Sequence, residues 1–68
     1  MEIGVRLTVV RTEGEAEAIC GLLRVNAIPC GHREADFSAQ AGGGWWHEIL
    51  VAEGDVPAAR ELLATPPP

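Results

Sequence analysis

A change of hydrophobic period along IGVRLTVVRTEGEAEAICGLL, residues 3–23, constrains the fold more than any other feature. Over 3–10 the residues alternate, with Ile3, Val5, Leu7 and Val9 on one side and Gly4, Arg6 and Thr8 on the other. A period of two rich in β-branched residues specifies a strand with one buried face. Thr12 then stands three residues before Glu15, the capping-box pattern that satisfies free amides at a helix start. Ala16, Ile19, Cys20, Leu22 and Leu23 follow at helical spacing, which predicts an amphipathic helix over 13–25. Asn26 is placed to end it, because Asn tolerates the left-handed conformation of a C-terminal cap.

Residues 28–34, IPCGHRE, read as a second strand. Pro29 has no N–H to donate, so it belongs at the strand's start or on a sheet edge. Residues 35–44 are small and polar, end in Gly42, Gly43 and Gly44, and form a flexible connection. WWHEILVA is the third strand. Asp55 caps a second helix whose first turn tolerates Pro57, and Val56, Ala59, Leu62 and Leu63 mark its buried face. The order β-α-β-β-α predicts an α+β two-layer sandwich of truncated ferredoxin-like type, a three-stranded antiparallel sheet with two helices on one face. A right-handed crossover from the first strand to the second leaves room for the third between them. The domain is expected over 1–64, with 65–68 (TPPP) a disordered tail.

A chain of 68 residues buries only about 60% of its unfolded surface, and such a core supplies about 3–5 kcal/mol. A staple or a partner is therefore expected. Cys20 and Cys30 could form one bridge, but Met1–Arg6 has neither the basic nor the apolar region of a secretory signal. The expectation is a cytoplasmic chain with both thiols free. No apolar run is long enough to span a bilayer, so no membrane partner is expected. Homodimerisation remains as the source of extra stability. The fold's usual fourth strand has no counterpart, so the edges of 3–10 from two chains can pair. Ten acidic residues against five arginines, without lysine, repel phosphate backbones and argue against nucleic acid.

The runs VRLTVVRTEGEAEAICGLLRVNAIPC and EILVAEGDVPAARELL are similar to a family of small bacterial proteins described as prokaryotic signal-transducing proteins. These have been likened to the PII nitrogen-signalling proteins. The resemblance covers about residues 5–63 and rests on Ala16, Ile19, Leu23, the Ile28-Pro29 turn, Val51, Asp55, Ala59, Leu62 and Leu63. It departs at Ala27, where members usually carry glycine. It implies a regulatory or interaction role. In the PII proteins the connection between the second and third strands is a mobile loop that touches partners, and 35–44 occupies that position here. No P-loop pattern is present, so nucleotide binding does not carry over.

Strand parity turns Trp45, His47, Ile49 and Val51 toward the helices and leaves Trp46, Glu48 and Leu50 on the open sheet face with Arg6, Thr8 and Arg33. Trp45 is expected to pack at the end of the core. An apolar, aromatic face rimmed by arginine has the composition of a protein interface. The expected partner-binding residues are Trp46, Leu50, Arg6 and Arg33, with Gly43 and Gly44 of the 38–46 loop; a bulge between Gly44 and His47 would swap the tryptophans. Cys20, Cys30, His32 and His47 are a tetrahedral zinc set by chemistry, but their spacing fits no compact motif. No metal or cofactor is expected, and the cysteines read as small buried hydrophobes. Cys30 with either histidine lacks an oxyanion hole and an orienting third group, and Glu34, Asp36 and Glu48 read as solvated surface, so no enzyme is expected. Arg6, Arg33 and Trp46 could suit an RNA-binding sheet, but there is no RNP-like motif. The expected function is a non-enzymatic regulatory or signal-transducing module, a homodimer that contacts another protein. The alternative is a small-ligand or metal sensor using Cys30, His32 and His47.

Overall fold

The computed structural model describes residues 3–39 and 43–64. The expected tail at 65–68 and Gly42 lie outside them. The elements run β1 (Val5–Val10), α1 (Glu13–Val25), β2 (Gly31–Asp36), β3 (Trp45–Val51), a 3-10 turn (Glu53–Asp55) and α2 (Val56–Ala64). The sheet order is β1-β3-β2, with β3 antiparallel to both neighbours. Both helices pack on one face, which gives the expected truncated ferredoxin-like α+β sandwich. Among the described residues, no helix is long and apolar enough to cross a membrane.

The core sits between β3 and the helices. Ala16, Cys20 and Leu23 of α1, Ile49 and Val51 of β3, and Ala59 of α2 are fully buried, and Ile28 and Cys30 nearly so. Leu7, Val10, Ile19, Val56 and Leu62 pack around them. Leu22 does not join. It is 43% exposed, at the margin of the stripe where α1 turns toward solvent.

Thr12 caps α1 by accepting the Glu15 N–H at 3.1 Å. The return half of the capping box differs from expectation, because the Thr12 hydroxyl donates to Glu15 Oε1 at 3.2 Å. The left-handed residue after α1 is Ala27, with φ 63°, rather than Asn26 at φ −101°. The Ile28 N–H donates to Leu23 O at 2.9 Å and the Ala27 N–H to Arg24 O at 3.0 Å. Those are the two bonds of a Schellman motif, and buried Ile28 over buried Leu23 supplies its hydrophobic contact. Ile28 is thus committed to the cap, and Pro29 has no N–H to donate. Together they move the start of β2 from the expected 28 to Gly31. An alanine Cβ in the left-handed region costs about 1–2 kcal/mol. Ala27→Gly is expected to stabilise the protein by about 1 kcal/mol, part of the relief being lost to the freer unfolded chain. A urea midpoint that does not rise would contradict this.

Two further expectations need correction. Cys20 and Cys30 are not free thiols: they form a disulfide, with Cα atoms 5.3 Å apart. Cys20 lies on the buried stripe of α1 directly facing the segment that enters β2, so the crossover itself brings the two residues to bonding range. Asp55 does stand immediately before α2, but its side chain makes no capping hydrogen bond among the described residues. It closes the 3-10 turn that runs into the helix, and its Oδ2 is buried without a hydrogen-bond partner.

Candidate functional site: the open face of the sheet

β3 pairs on both sides, so its alternation fixes what shares each face. Cα partners Gly31↔Leu50, Arg33↔Glu48 and Ala35↔Trp46 put β2 residues beside β3 residues on the face away from the helices. On the β1 side Arg6 pairs with Leu50, but the register then slips: Leu7 is an extra residue between Arg6 and Thr8, and Thr8 pairs with Ile49, Val9 with Glu48 and Val10 with His47. This β-bulge exchanges the faces of the rest of the strand. Thr8, expected on the open face, shares the side of Ile49. Val10 replaces Val9 beside the core, and Val9 joins the open face.

Glu48 lies at the middle of this face. Its Oε2 accepts from Arg33 Nε at 2.9 Å, and Arg6 Nη1 approaches Oε1 at 3.7 Å. The Glu48 side chain is only 12% exposed, whereas those of Arg6 and Arg33 are 55% and 69% exposed. One shielded carboxylate thus tethers two outward guanidinium groups. The Arg11 guanidinium carbon stands 4.0 Å from the centroid of the Trp46 ring, and that of Arg6 stands 5.8 Å from the Phe37 ring. Stacking of a guanidinium on an indole is attractive and leaves its N–H edge free.

The structure brings together Trp46, Leu50, Arg6 and Arg33, as parity predicts. Gly44 takes a positive φ of 119°, and its carbonyl accepts the Phe37 N–H at 2.8 Å, closing the ladder at the loop. Gly43 is half-buried beside it. Trp45 is not in the core. It keeps the helix-side parity, but it pairs with Asp36 at the loop end of the ladder and is 64% exposed, since the core on β3 begins only at Ile49. Arg11 and Phe37 escaped the sequence reading. Unbroken alternation puts Arg11 on the other face, and the expected β2 ended before Phe37.

The sulfur and imidazole candidates lie on the opposite side. Cys20 and Cys30 are bonded to each other. His32 and His47 meet edge to face with centroids 6.2 Å apart, and His32 Nε2 lies 3.1 Å from Glu17 Oε1. No three metal-ligating side chains converge among the described residues. Near the loop, Asp36 Oδ1 accepts the Ser38 N–H at 2.9 Å. Bonds from the Ser38 backbone and then its side chain lower the Asp36 pKa below its ordinary value. The stability this contributes is present above the ordinary value and is lost as pH falls through the lowered one. A separate groove of about 480 Å³ runs between the end of α1 and α2, lined by Asn26, Ala27, Ile28, Asp55, Ala58 and Leu62, among others.

Fold and site together define a small one-sided α+β domain whose uncovered sheet face is aromatic and rimmed by arginine. Compared with family models, curated proteins and solved structures, the chain matches none.

Proposed function

We propose that this protein is a non-enzymatic regulatory or signal-transducing module that acts as a homodimer and binds a protein partner through Trp46, Leu50, Arg6 and Arg33. The observation that carries this reading is the uncovered sheet face: helices pack on one side only, while half-buried Trp46 and Leu50 lie on the other among exposed arginines. Aromatic residues and arginine are the types enriched at interfaces. The outer edge of β1 has no strand partner among the described residues, which supports pairing with a second copy. The reading agrees with what the resemblance to the signal-transducing family implies, and we place the module in the cytoplasm. A buried disulfide in that compartment would be unusual.

Native mass spectrometry of the untagged protein is expected to show a dimer at micromolar concentration without added mass. Trp46→Ala is expected to lose association while keeping the far-ultraviolet spectrum of the fold. A monomer for the parent protein would overturn the homodimer. A second reading, a small-ligand sensor, is favoured by the groove beside Asp55, whose volume lies in the range of about 300–1,000 Å³ typical of ligand pockets. An adduct mass in the same spectrum would promote it.

A further inference from the structure

The charge of the open face runs against that of the chain. The protein carries a formal net charge of −5, yet three of its arginines, Arg6, Arg11 and Arg33, meet on this face. Among the described residues, Glu48 is the one carboxylate that the strand pairing places there. Glu13, Glu15 and Glu17 belong to α1, and Glu34 and Asp36 take the helix-side parity of their partners His47 and Trp45. The bulge at Leu7 is what brings the third arginine over. With Val10 paired to His47 on the helix side, Arg11 falls on the open side, and its guanidinium comes to rest on Trp46.

Arg11 rests on an aromatic ring but is not paired with a carboxylate among the described residues. Its flat face is held by the indole, and among the described residues it makes no hydrogen bond or ion pair. A guanidinium held in this way presents parallel N–H groups that match a carboxylate's two oxygens. Arg6 and Arg33 already share one carboxylate, so between them they carry one positive charge beyond it. Val9 lies between Arg6 and Arg11 along β1, Leu50 lies beside Arg6 and Ala35 beside Trp46; all three are half-buried and apolar.

We propose that the open face receives an acidic segment of a partner protein, in which carboxylates flank an apolar side chain. The carboxylates meet Arg11 and the Arg6–Arg33 pair, and the apolar side chain lies on Leu50 and Val9. This rests on the interaction-module reading and deepens it by naming the partner's chemistry. A nucleic acid fits less well: Trp46 carries a guanidinium where a base would stack, and the rest of the molecule repels a phosphate backbone. Complementary charge of this kind steers encounter and rejects partners of the wrong sign, and it weakens as salt screens it.

The test is selection of displayed random peptides on the full chain at low salt, followed by titration of the synthetic winners and of oligothymidylate. The expected winners carry two or more Asp or Glu around Leu, Ile or an aromatic residue. Their affinity should fall about tenfold or more in Arg11→Gln/Arg33→Gln, fall less in Arg11→Lys, and stay unchanged in Arg60→Gln on α2. Winners that are neutral or basic, acidic winners indifferent to Arg11 and Arg33, tighter binding of oligothymidylate, or no enrichment by a folded protein would each overturn the proposal. Neutral winners that still require Trp46 would leave the interaction module standing without its acidic partner. The dimer is judged separately by mass.

Discussion

Replacing Cys20 and Cys30 together by alanine is expected to remove about 3 kcal/mol of stability, the loop-closure value for a bridge spanning a sequence separation of 10. Alanine is the right substitute because both sites are buried among apolar side chains, where serine would add an unsatisfied hydroxyl. A domain of this length draws about 3–5 kcal/mol from its core, so the bridge contributes nearly as much as the core does. Urea denaturation of the parent with and without a phosphine reductant should reproduce the same loss. A midpoint indifferent to reductant would mean that the bridge does not staple the fold.

Leu23→Ala should be as damaging by a different route. Leu23 is fully buried, and its carbonyl accepts the Ile28 N–H that closes α1. Truncating such a residue costs about 2–5 kcal/mol, because the cavity it leaves cannot fully collapse. That is comparable to what the core of a domain this small supplies. The control is Leu22→Ala, one residue earlier on the same helix and 43% exposed, which should cost under about 1 kcal/mol. Circular dichroism melting of the two variants separates them; equal losses would show that burial is shared between both positions.

That pair shows how far the sequence could be read. Helical spacing admits Leu22 and Leu23 to the same stripe, because the stripe's width is set by what packs against it. The long periodic segments, 3–10 and 13–25, gave the right elements, and the order of elements gave the right sheet. The parity of β3 was correct since both of its neighbours hold its register. What parity could not supply was the extent of cover: Trp45 keeps the helix-side parity, but the buried stretch of β3 begins only at Ile49. The sequence admits a Cys20–Cys30 bridge, and only compartment, inferred from the N-terminus, argues against it; compartment says nothing about two side chains that the crossover places face to face. Ala27 was flagged only by a resemblance, as a departure from glycine. Its positive φ gives that departure a physical meaning.

The bulge at Leu7 has a consequence for how β1 tolerates changes of length. In most strands, loss of one residue at the free end shortens the strand and little else. Here the same holds inside the strand: deletion of Leu7 would remove the extra residue and leave a regular strand, with Thr8, Val9 and Val10 still opposite Ile49, Glu48 and His47. Val10 would stay beside the core and Arg11 above Trp46, and the loss would be the packing of Leu7 against the core. A relative without the insertion could therefore be one residue shorter in this strand and still present the same surface to the same partner.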